Sequence, residues 1–374
     1  MLKIAIKMLF RDYTKFITLF VAIAFSTALI LQQGSIFVGL LRHFSTTIRI
    51  TQAPIWVMHE STERVDTPTP IPEVYLGQVK SIDGVEWAYP YIINVINAKI
   101  ENGNQDAVQL VGVDDETLFG LPNAAIKGQI KDIYSPDAVV VDKNNLSKLG
   151  NPELGDTFEM NDQKARVVAI IDIPRNPFSY PFVYTTYDRA KNYLPPQRNV
   201  LSFILAKPQK GYTTKQVIKN IEENTELIAF SQDEYFNLNI DWVMKNTGIP
   251  INFGISVMLG VLVGLSIVSQ TFYAFIAENT KYLATLRAIG TSNWTLVRMV
   301  SVQSALVGFI GFSLGIGVVS IFGSTVPKVS KLVFYTPYQL FFITLGFIFL
   351  ICIASSLLSL KRVIKIEPAT VFRD

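Results

Sequence analysis

The stretch from residue 246 to residue 277, NTGIPINFGISVMLGVLVGLSIVSQTFYAFIA, contains no charged residue and decides the fold of this chain. Three further uncharged stretches occur, at residues 16–41, 299–327 and 332–360. A helix rises about 1.5 Å per residue, so roughly 20 apolar residues cross a hydrocarbon core of about 30 Å. The order of the four stretches therefore predicts one membrane span, a water-soluble domain between residues 43 and 247, and then three more spans.

The first stretch is too long for a cleaved secretion signal. The apolar part of a signal peptide is about 7 to 15 residues long and is followed by a cleavage site of small residues. Residues 16–41 exceed that length and lead into Arg42, so we expect an uncleaved anchor. Residues 1–15, MLKIAIKMLFRDYTK, alternate apolar and basic side chains. This pattern favours an amphipathic helix on the inner membrane surface over a simple extension of the first span.

Basic residues concentrate on one side of the predicted spans. Only Lys328 and Lys331 lie between the third and fourth spans. Eleven lie before the first span, between the second and third, or after the fourth: Lys3, Lys7, Arg11, Lys15, Lys281, Arg287, Arg298, Lys361, Arg362, Lys365 and Arg373. By the positive-inside rule, both termini are cytoplasmic and residues 43–247 lie outside. The net charge of +3 then reflects this orientation and gives no reason to expect nucleic-acid binding.

The outer region predicts an α+β domain with an insertion. Two β-α-β patterns, at residues 43–100 and 200–247, predict the halves of one split module, with strands at 54–58, 85–95, 201–205 and 227–230 and helices at 73–82 and from Thr213 or Thr214 to Ile221. Residues 101–199 predict an inserted subdomain, with strands at 107–113, 138–141, 157–160 and 166–173. Aromatic residues at 175–187 either line a cavity or a partner contact, or simply pack.

Side chains that carry chemistry are sparse. The only cysteine, Cys352, lies in the fourth span, so no disulfide can form within the chain. The two histidines, His43 and His59, have no partner at metal-ligand spacing. The sequence contains no G-x-x-x-x-G-K-[ST] phosphate loop and no G-x-S-x-G nucleophile elbow. We therefore expect no catalytic residue, no metal site and no cofactor on this chain.

The loop between the second and third spans has the most specific pattern, ENTKYLATLRAIG at residues 278–290. Gly290 suits the left-handed position that ends a helix, and Thr291 or Ser292 can cap the next one. One helical face carries apolar residues: Tyr282, Leu283, Leu286 and Ile289. The pattern predicts a short amphipathic helix along the cytoplasmic membrane surface; an inert interfacial turn is the alternative.

Three segments carry a family resemblance. ENTKYLATLRAIGTSNW (278–294) resembles the cytoplasmic segment of FtsX-like permeases, and KRVIKIEPATVFRD (361–374) resembles the C-terminal ending of that family. DAVVVDKNNLSKLGNPELGDTFEMNDQKARVVAIIDIP (137–174) is similar to the periplasmic core domain of MacB-type permeases. The match covers essentially the whole chain, and the four-span plan fits the DevC-like branch of these type VII ABC transporter permeases.

The resemblance implies a multi-pass α-helical membrane protein with four transmembrane helices and a large α+β periplasmic domain. Residues 1–42 would form the N-terminal amphipathic helix and first span, and 248–374 the FtsX-like domain with a coupling helix at 279–290. The periplasmic domain, 43–247, would divide into a porter-like part (43–100 and 200–247) and a sabre-like insert (101–199). The residues implied to contact an ATPase are Glu278, Tyr282, Leu283, Leu286, Arg287, Ala288 and Gly290.

In this family, ATP hydrolysis moves the periplasmic domains by mechanotransmission, with no substrate path needed through the bilayer. MacB proper carries its ATPase on the same chain, whereas only residues 1–15 precede the first span here. We therefore expect a non-catalytic permease whose separate ATPase subunits, as a dimer, bind ATP and Mg²⁺. The implied assembly is a tripartite efflux exporter in a bacterial inner membrane, with a homodimer or paralogous pair of permeases, a periplasmic membrane-fusion adaptor and an outer-membrane channel.

Two other functions remain open. A signalling or scaffold protein of the FtsX type would activate a periplasmic partner, and a lipoprotein-release permease would need a second, dissimilar permease. The neighbouring genes distinguish the three functions. An ATPase with an adaptor indicates export, a cell-wall amidase indicates signalling, and a paralogous permease indicates lipoprotein release.

Small-xxx-small patterns allow close helix approach. They occur in the second span, Gly260 to Gly264, and in the third, Gly311 to Gly315. Such glycines also serve packing within one chain. Because the second span links the outer domain to the predicted coupling helix, we place the dimer face at Gly260 and Gly264.

Overall fold

The computed structural model describes residues 13–100, 103–174, 180–195, 201–329 and 332–364. The chain divides into two compact units, a helical unit of Met1–Leu40 and Gly248–Asp374, and an α/β unit of Leu41–Thr247. Most of the predicted amphipathic helix at residues 1–15 lies outside the described residues, as does the tail from residue 365.

The described helices and strands follow one another in chain order. The helices are α1 (Tyr13–Phe44), α2 (Thr46–Thr51), α3 (Val74–Lys80), α4 (Tyr187–Tyr193), α5 (Thr214–Asn224), α6 (Gln232–Asn246), α7 (Ile249–Glu278), α8 (Thr280–Ala288), α9 (Asn293–Val329) and α10 (Tyr338–Ile364). The strands are β1 (Ile55–Met58), β2 (Val85–Lys99), β3 (Gln105–Val113), β4 (Ala125–Gly128), β5 (Ala138–Asp142), β6 (Thr157–Met160), β7 (Gln163–Ile171), β8 (Phe182–Thr186), β9 (Phe203–Pro208) and β10 (Ile228–Ser231).

Four of these helices are long and apolar enough to cross a membrane. The spans are Phe16–Phe44, Ile249–Glu278, Trp294–Thr325 and Tyr338–Leu357. They match the four uncharged stretches of the sequence, and α8 lies between the second and third. The predicted fold class, four transmembrane helices with a large α+β domain, is confirmed.

Helix α1 packs closely against the other long helices of the helical unit. A Cβ atom at Gly311 or Gly315 of α9 would lie 2.6 Å from Ile23 or 2.5 Å from Thr27. The hydroxyl groups of Ser26 and Thr27 donate to carbonyl oxygens one turn earlier, at 3.0 and 2.8 Å. Since lipid offers no hydrogen-bond partner, these bonds allow polar side chains to sit at close helix contacts.

The α/β unit contains one ten-stranded sheet in the order β10-β1-β9-β2-β3-β8-β5-β7-β4, and β6 pairs with both β2 and β7. Strand β2 joins the two halves of this sheet. Residues 85–91 of β2 pair with β9, and Ile92 to Lys99 pair with β3. The predicted insertion therefore continues the sheet of the split module along one long strand.

Both faces of the sheet are covered, which explains why β1 and β5 are buried at every position. Ile55 and Val57 face a core that includes residues of α3, α4 and α5. Trp56 and Met58 face the opposite core, which includes Ile48 of α2 and Tyr235 of α6.

The local predictions hold for most elements of this unit. Strands occur at 138–142 and 157–160, and Thr213 caps α5 with a complete capping box. In the 175–187 stretch, residues 175–179 lie outside the described residues, while Phe182, Tyr184 and Tyr187 are buried in the cores. Of the two interpretations of this stretch, packing therefore applies to these three aromatic side chains.

The carboxyl group of Asp142, at the end of β5, should make the stability of the folded protein depend on pH. Asp142 is fully buried, and burial raises the pKa of its carboxyl group from 3.8 to about 7. Asn144 donates to Oδ1 from its backbone and side chain, while Oδ2 has no hydrogen-bond partner among the described residues. Because the folded state binds a proton that the unfolded state releases near its usual pKa, this contribution is present at low pH and lost as the pH rises through about 7.

We expect the melting temperature of the purified protein to fall between pH 5 and pH 8, through a loss on the order of a few kcal/mol. Asp142→Asn, which cannot ionise, should flatten that part of the profile. The control, Glu159→Gln, alters a half-exposed carboxylate paired with Lys99 and should keep the slope. An equal slope in wild type and Asp142→Asn contradicts the assignment.

Candidate coupling helix

Helix α8 is joined to α7 by a hydrogen-bonded turn of fixed geometry. The side-chain amide of Asn279 donates to the carbonyl oxygen of Phe275 at 2.8 Å. The hydroxyl group of Thr280 donates to Ile276 at 3.1 Å and to Ala277 at 2.6 Å. These bonds satisfy carbonyl groups that would otherwise have no partner where α7 ends, so α8 begins at a defined angle to the second span.

The end of α8 follows the glycine pattern in the sequence. Gly290 has a φ of 96°, and its N–H donates to Arg287 while that of Thr291 donates to Leu286. This pair of bonds is a Schellman motif, which confirms the predicted role of Gly290. Of the two predicted caps for the next helix, the structure uses Ser292, whose hydroxyl accepts from the N–H of Thr295 at 3.3 Å.

One side of α8 is buried within the helical unit. Leu283 is 5% exposed and belongs to the core of that unit, and Leu286 is partly buried against the same core. The predicted apolar face is therefore only partly exposed, because Leu283 is buried and Leu286 is half-buried within the chain. Helical periodicity identifies residues that share a face, but α8 turns the Leu283 edge of that face toward its own chain.

The exposed side of α8 continues into the turn that follows it. Tyr282 is 48% exposed, and Ile289 is 77% exposed. Trp294, the second residue of α9, is 76% exposed. Of the other implied contact residues, Glu278, Ala288 and Gly290 are exposed and Arg287 is half-buried. We call Tyr282, Ile289 and Trp294 the exposed trio.

The sequence pattern missed Trp294 as a candidate contact. The available signal was a tryptophan two residues after the Ser292 cap, with Arg298 one helical turn further on. The surrounding polar surface includes exposed Lys281 and Arg298, so this region can attract an acidic partner surface. It offers apolar anchors with a basic surround, which suits docking.

The glycines of the second span pack against their own chain. A Cβ at Gly260 would lie 3.4 Å from Leu29, and one at Gly264 would lie 2.9 Å from Cβ of Ser26. Both glycines are buried against α1 of the same chain. Within the chain, α1 therefore occupies the side of α7 that carries these two glycines, and the dimer face at Gly260 and Gly264 stays a prediction.

Gly264→Ala should lower the stability of the helical unit. An added methyl group meets Ser26, and overpacking of this kind costs about 1–3 kcal/mol. Gly254→Ala is the matched control, because a Cβ at that position of the same helix has no heavy atom within 4 Å. Thermal unfolding in detergent checks this: Gly264→Ala should melt lower than Gly254→Ala, and equal melting temperatures contradict the packing described.

Two protein-family models match the chain, and together they cover both units. The model of the MacB-like periplasmic core domain matches residues 16–224. The model of the FtsX-like permease C-terminal region matches residues 253–368, which include α8 and the exposed trio. A search of curated proteins found no match.

Solved structures resemble the chain at low identity. The extracellular domain of the noncanonic ABC-type transporter YknZ from Gram-positive bacteria is 15% identical, with a TM-score of 0.36, over 48% of this chain and 99% of that one. The periplasmic region of MacB from Actinobacillus actinomycetemcomitans is 14% identical, with a TM-score of 0.38, over 54% and 96%. A permease-protein domain from Porphyromonas gingivalis is 12% identical, with a TM-score of 0.33, over 48% and 89%.

Proposed function

Because this chain belongs to the family of FtsX-like permeases with a MacB-like periplasmic core domain, we propose that it is the membrane subunit of an ABC exporter driven by a separate ATPase. Family membership makes it a membrane component of ABC transporters, in the inner membrane, with a periplasmic domain. The finer proposal is that α8 receives the ATPase and that the α/β unit responds to ATP hydrolysis.

The exposed trio, Tyr282 on α8 with Ile289 and Trp294 after it, is the observation that carries this proposal. An isoleucine that is 77% exposed and a tryptophan that is 76% exposed gain free energy when a partner covers them. The Schellman motif and the Ser292 cap hold this surface in one conformation, so little entropy is lost on docking. The proposed contact set is Glu278, Tyr282, Leu286, Arg287, Ala288, Ile289, Gly290 and Trp294, and it omits the buried Leu283.

A nearly continuous helical path leads along the chain from this surface to the α/β unit. Helix α8 follows α7 after Asn279 alone, and α7 follows α6 after Thr247 and Gly248. A displacement of α8 can therefore reach α6 through short, hydrogen-bonded junctions. This path supports mechanotransmission, in which ATP hydrolysis in the cytoplasm changes the conformation of a periplasmic domain.

The remaining parts of the proposal follow the family. Both termini are cytoplasmic, two permeases pair with two ATPase subunits that bind ATP and Mg²⁺, and an adaptor and an outer-membrane channel complete an efflux system. The porter-like part comprises residues 43–100 and 200–247, which contain β1, β2, β9 and β10, and the sabre-like part comprises residues 101–199. Signalling and lipoprotein release become the preferred functions if the complex moves no exported molecule.

Measurement of ATP hydrolysis tests whether a separate subunit, and not the permease, is the ATPase. Purified permease alone should not hydrolyse ATP above a protein-free blank, because the sequence has no phosphate loop. The complex with its ATPase subunit, reconstituted in nanodiscs, should hydrolyse ATP. Turnover by the isolated permease that survives further purification contradicts the proposal.

A further inference from the structure

Asn239 is a buried amide on α6, the helix that leads into the second span. It is 1% exposed, and its side chain bonds two separate segments of the α/β unit. Its Nδ2 donates to the carbonyl oxygen of Phe44 at 2.8 Å and to Oγ of Ser45 at 3.0 Å. Its Oδ1 accepts from the N–H of Val65 at 3.3 Å.

The segments joined by Asn239 have particular positions along the chain. Phe44 is the last residue of α1 and of the first span, and its carbonyl oxygen accepts from Asn239. Asn239 lies on α6, which ends at Asn246, shortly before the second span begins at Ile249. One amide thus ties the chain where it leaves the first span to the chain where it approaches the second.

A second layer of contacts surrounds this amide. One helical turn further along α6, Nε1 of Trp242 donates to Glu63 at 2.5 Å. The guanidinium group of Arg64 lies 4.6 Å from the centre of the Trp242 ring. Both partners belong to the loop that carries Val65. The loop is therefore fastened to α6 at two successive turns, and the end of α1 is bonded at the first of them, by Asn239.

We propose that Asn239 is a positioning residue. It makes the end of α1 and helix α6 move together, so that motion of the spans reaches the sheet. The inference deepens the proposed function and rests on it. Without the Asn239 bonds, the end of α1 and α6 can shift independently, and a displacement transmitted along α7 is absorbed at that junction. A merely structural asparagine would affect stability without separating the responses of the two units.

The test compares three variants of the full-length permease in complex with its ATPase subunit. Asn239→Ala removes all three side-chain bonds, and Ser45→Ala removes one of them. The matched control is Ser202→Ala, which removes a 6% exposed hydroxyl that donates to Ile93 at 3.1 Å and accepts from Ile93 at 3.0 Å. Hydrogen–deuterium exchange is measured with and without Mg-ATP and vanadate, in peptides from α7 and α8 and in peptides from β1 to β3.

In wild type and Ser202→Ala, trapped nucleotide should change exchange in both sets of peptides. In Asn239→Ala, the change in α7 and α8 should persist, while that in β1 to β3 falls about fivefold, which corresponds to about 1 kcal/mol. An undiminished change in β1 to β3, or an equal loss in both sets, overturns the inference.

If Asn239→Ala does not accumulate as folded protein, Ser45→Ala decides. A selective reduction in β1 to β3 supports the inference, and a response equal to wild type overturns it. A wild-type complex that responds nowhere to nucleotide overturns the proposed function, and that result is distinguishable because it appears without any substitution.

Discussion

Replacing Ile289 with aspartate should abolish co-purification of the ATPase subunit while the permease itself remains folded. Ile289 is 77% exposed, so the isolated permease loses little by the change. Covering an isoleucine contributes roughly 1.5–3 kcal/mol, and an unpaired carboxylate in the contact adds a desolvation cost. The affinity of the permease for the ATPase subunit should fall by about tenfold to a hundredfold.

The measurement is affinity capture of the permease followed by quantification of the bound ATPase subunit. Ile126→Asp is the matched control, since Ile126 is also an exposed isoleucine, 53% exposed, but lies on β4 of the α/β unit. The control should retain the ATPase at the wild-type level. Retention by Ile289→Asp as well would show that this side chain faces the membrane surface instead.

Leu283→Asp should have a different and larger effect, the loss of the folded permease. Leu283 is 5% exposed and packs in the core of the helical unit. Removing a buried leucine side chain costs about 2–5 kcal/mol, and burying a carboxylate there adds to that cost. Fluorescence-detected size-exclusion chromatography should show aggregate or no monodisperse peak.

Leu283→Met provides the control for this substitution, because methionine fills a similar volume without a charge. It should give a monodisperse peak and retain the ATPase. The pair Leu283→Asp and Ile289→Asp thus separates folding from docking on one short helix and its turn. A monodisperse Leu283→Asp permease that specifically loses its partner would return Leu283 to the contact set.

The spans and the ends of α8 could be predicted from sequence because each depends on local properties. An uncharged run has to exceed the membrane thickness, and Gly290 can adopt a positive φ that other residues avoid. The direction in which α8 turns could not be predicted. Leu283, Leu286 and Ile289 are all apolar, and periodicity does not distinguish burial in the same chain from burial by a partner or lipid.

The glycine patterns illustrate the same limit. Gly260 and Gly264 permit close approach of a helix, but sequence spacing does not identify that helix. The structure gives this role to α1, which also receives Gly311 and Gly315 of the third span. Most strands of the α/β unit could be predicted for a local reason, since they are apolar runs, but β4 and β8 were not predicted. Their union into one sheet depends on the length of β2, which pairs over both halves.

Asn239 could not have been recognised from the sequence. An asparagine in a helix of mixed polarity is typical of a solvent-facing position, and its partners are 174 to 195 residues away along the chain. Long-range hydrogen bonds of a single side chain leave no periodic pattern.

Photocrosslinking from position 289 tests the central claim most directly. A benzoylphenylalanine placed at 289 in the full-length permease, in membranes that also contain the ATPase subunit, should form a covalent product with that subunit. The same probe at Leu350, which is 59% exposed on α10, should not. If the probe at 289 labels only lipid while the two proteins still co-purify, α8 and its turn do not receive the ATPase, and the proposed coupling role of this helix is wrong.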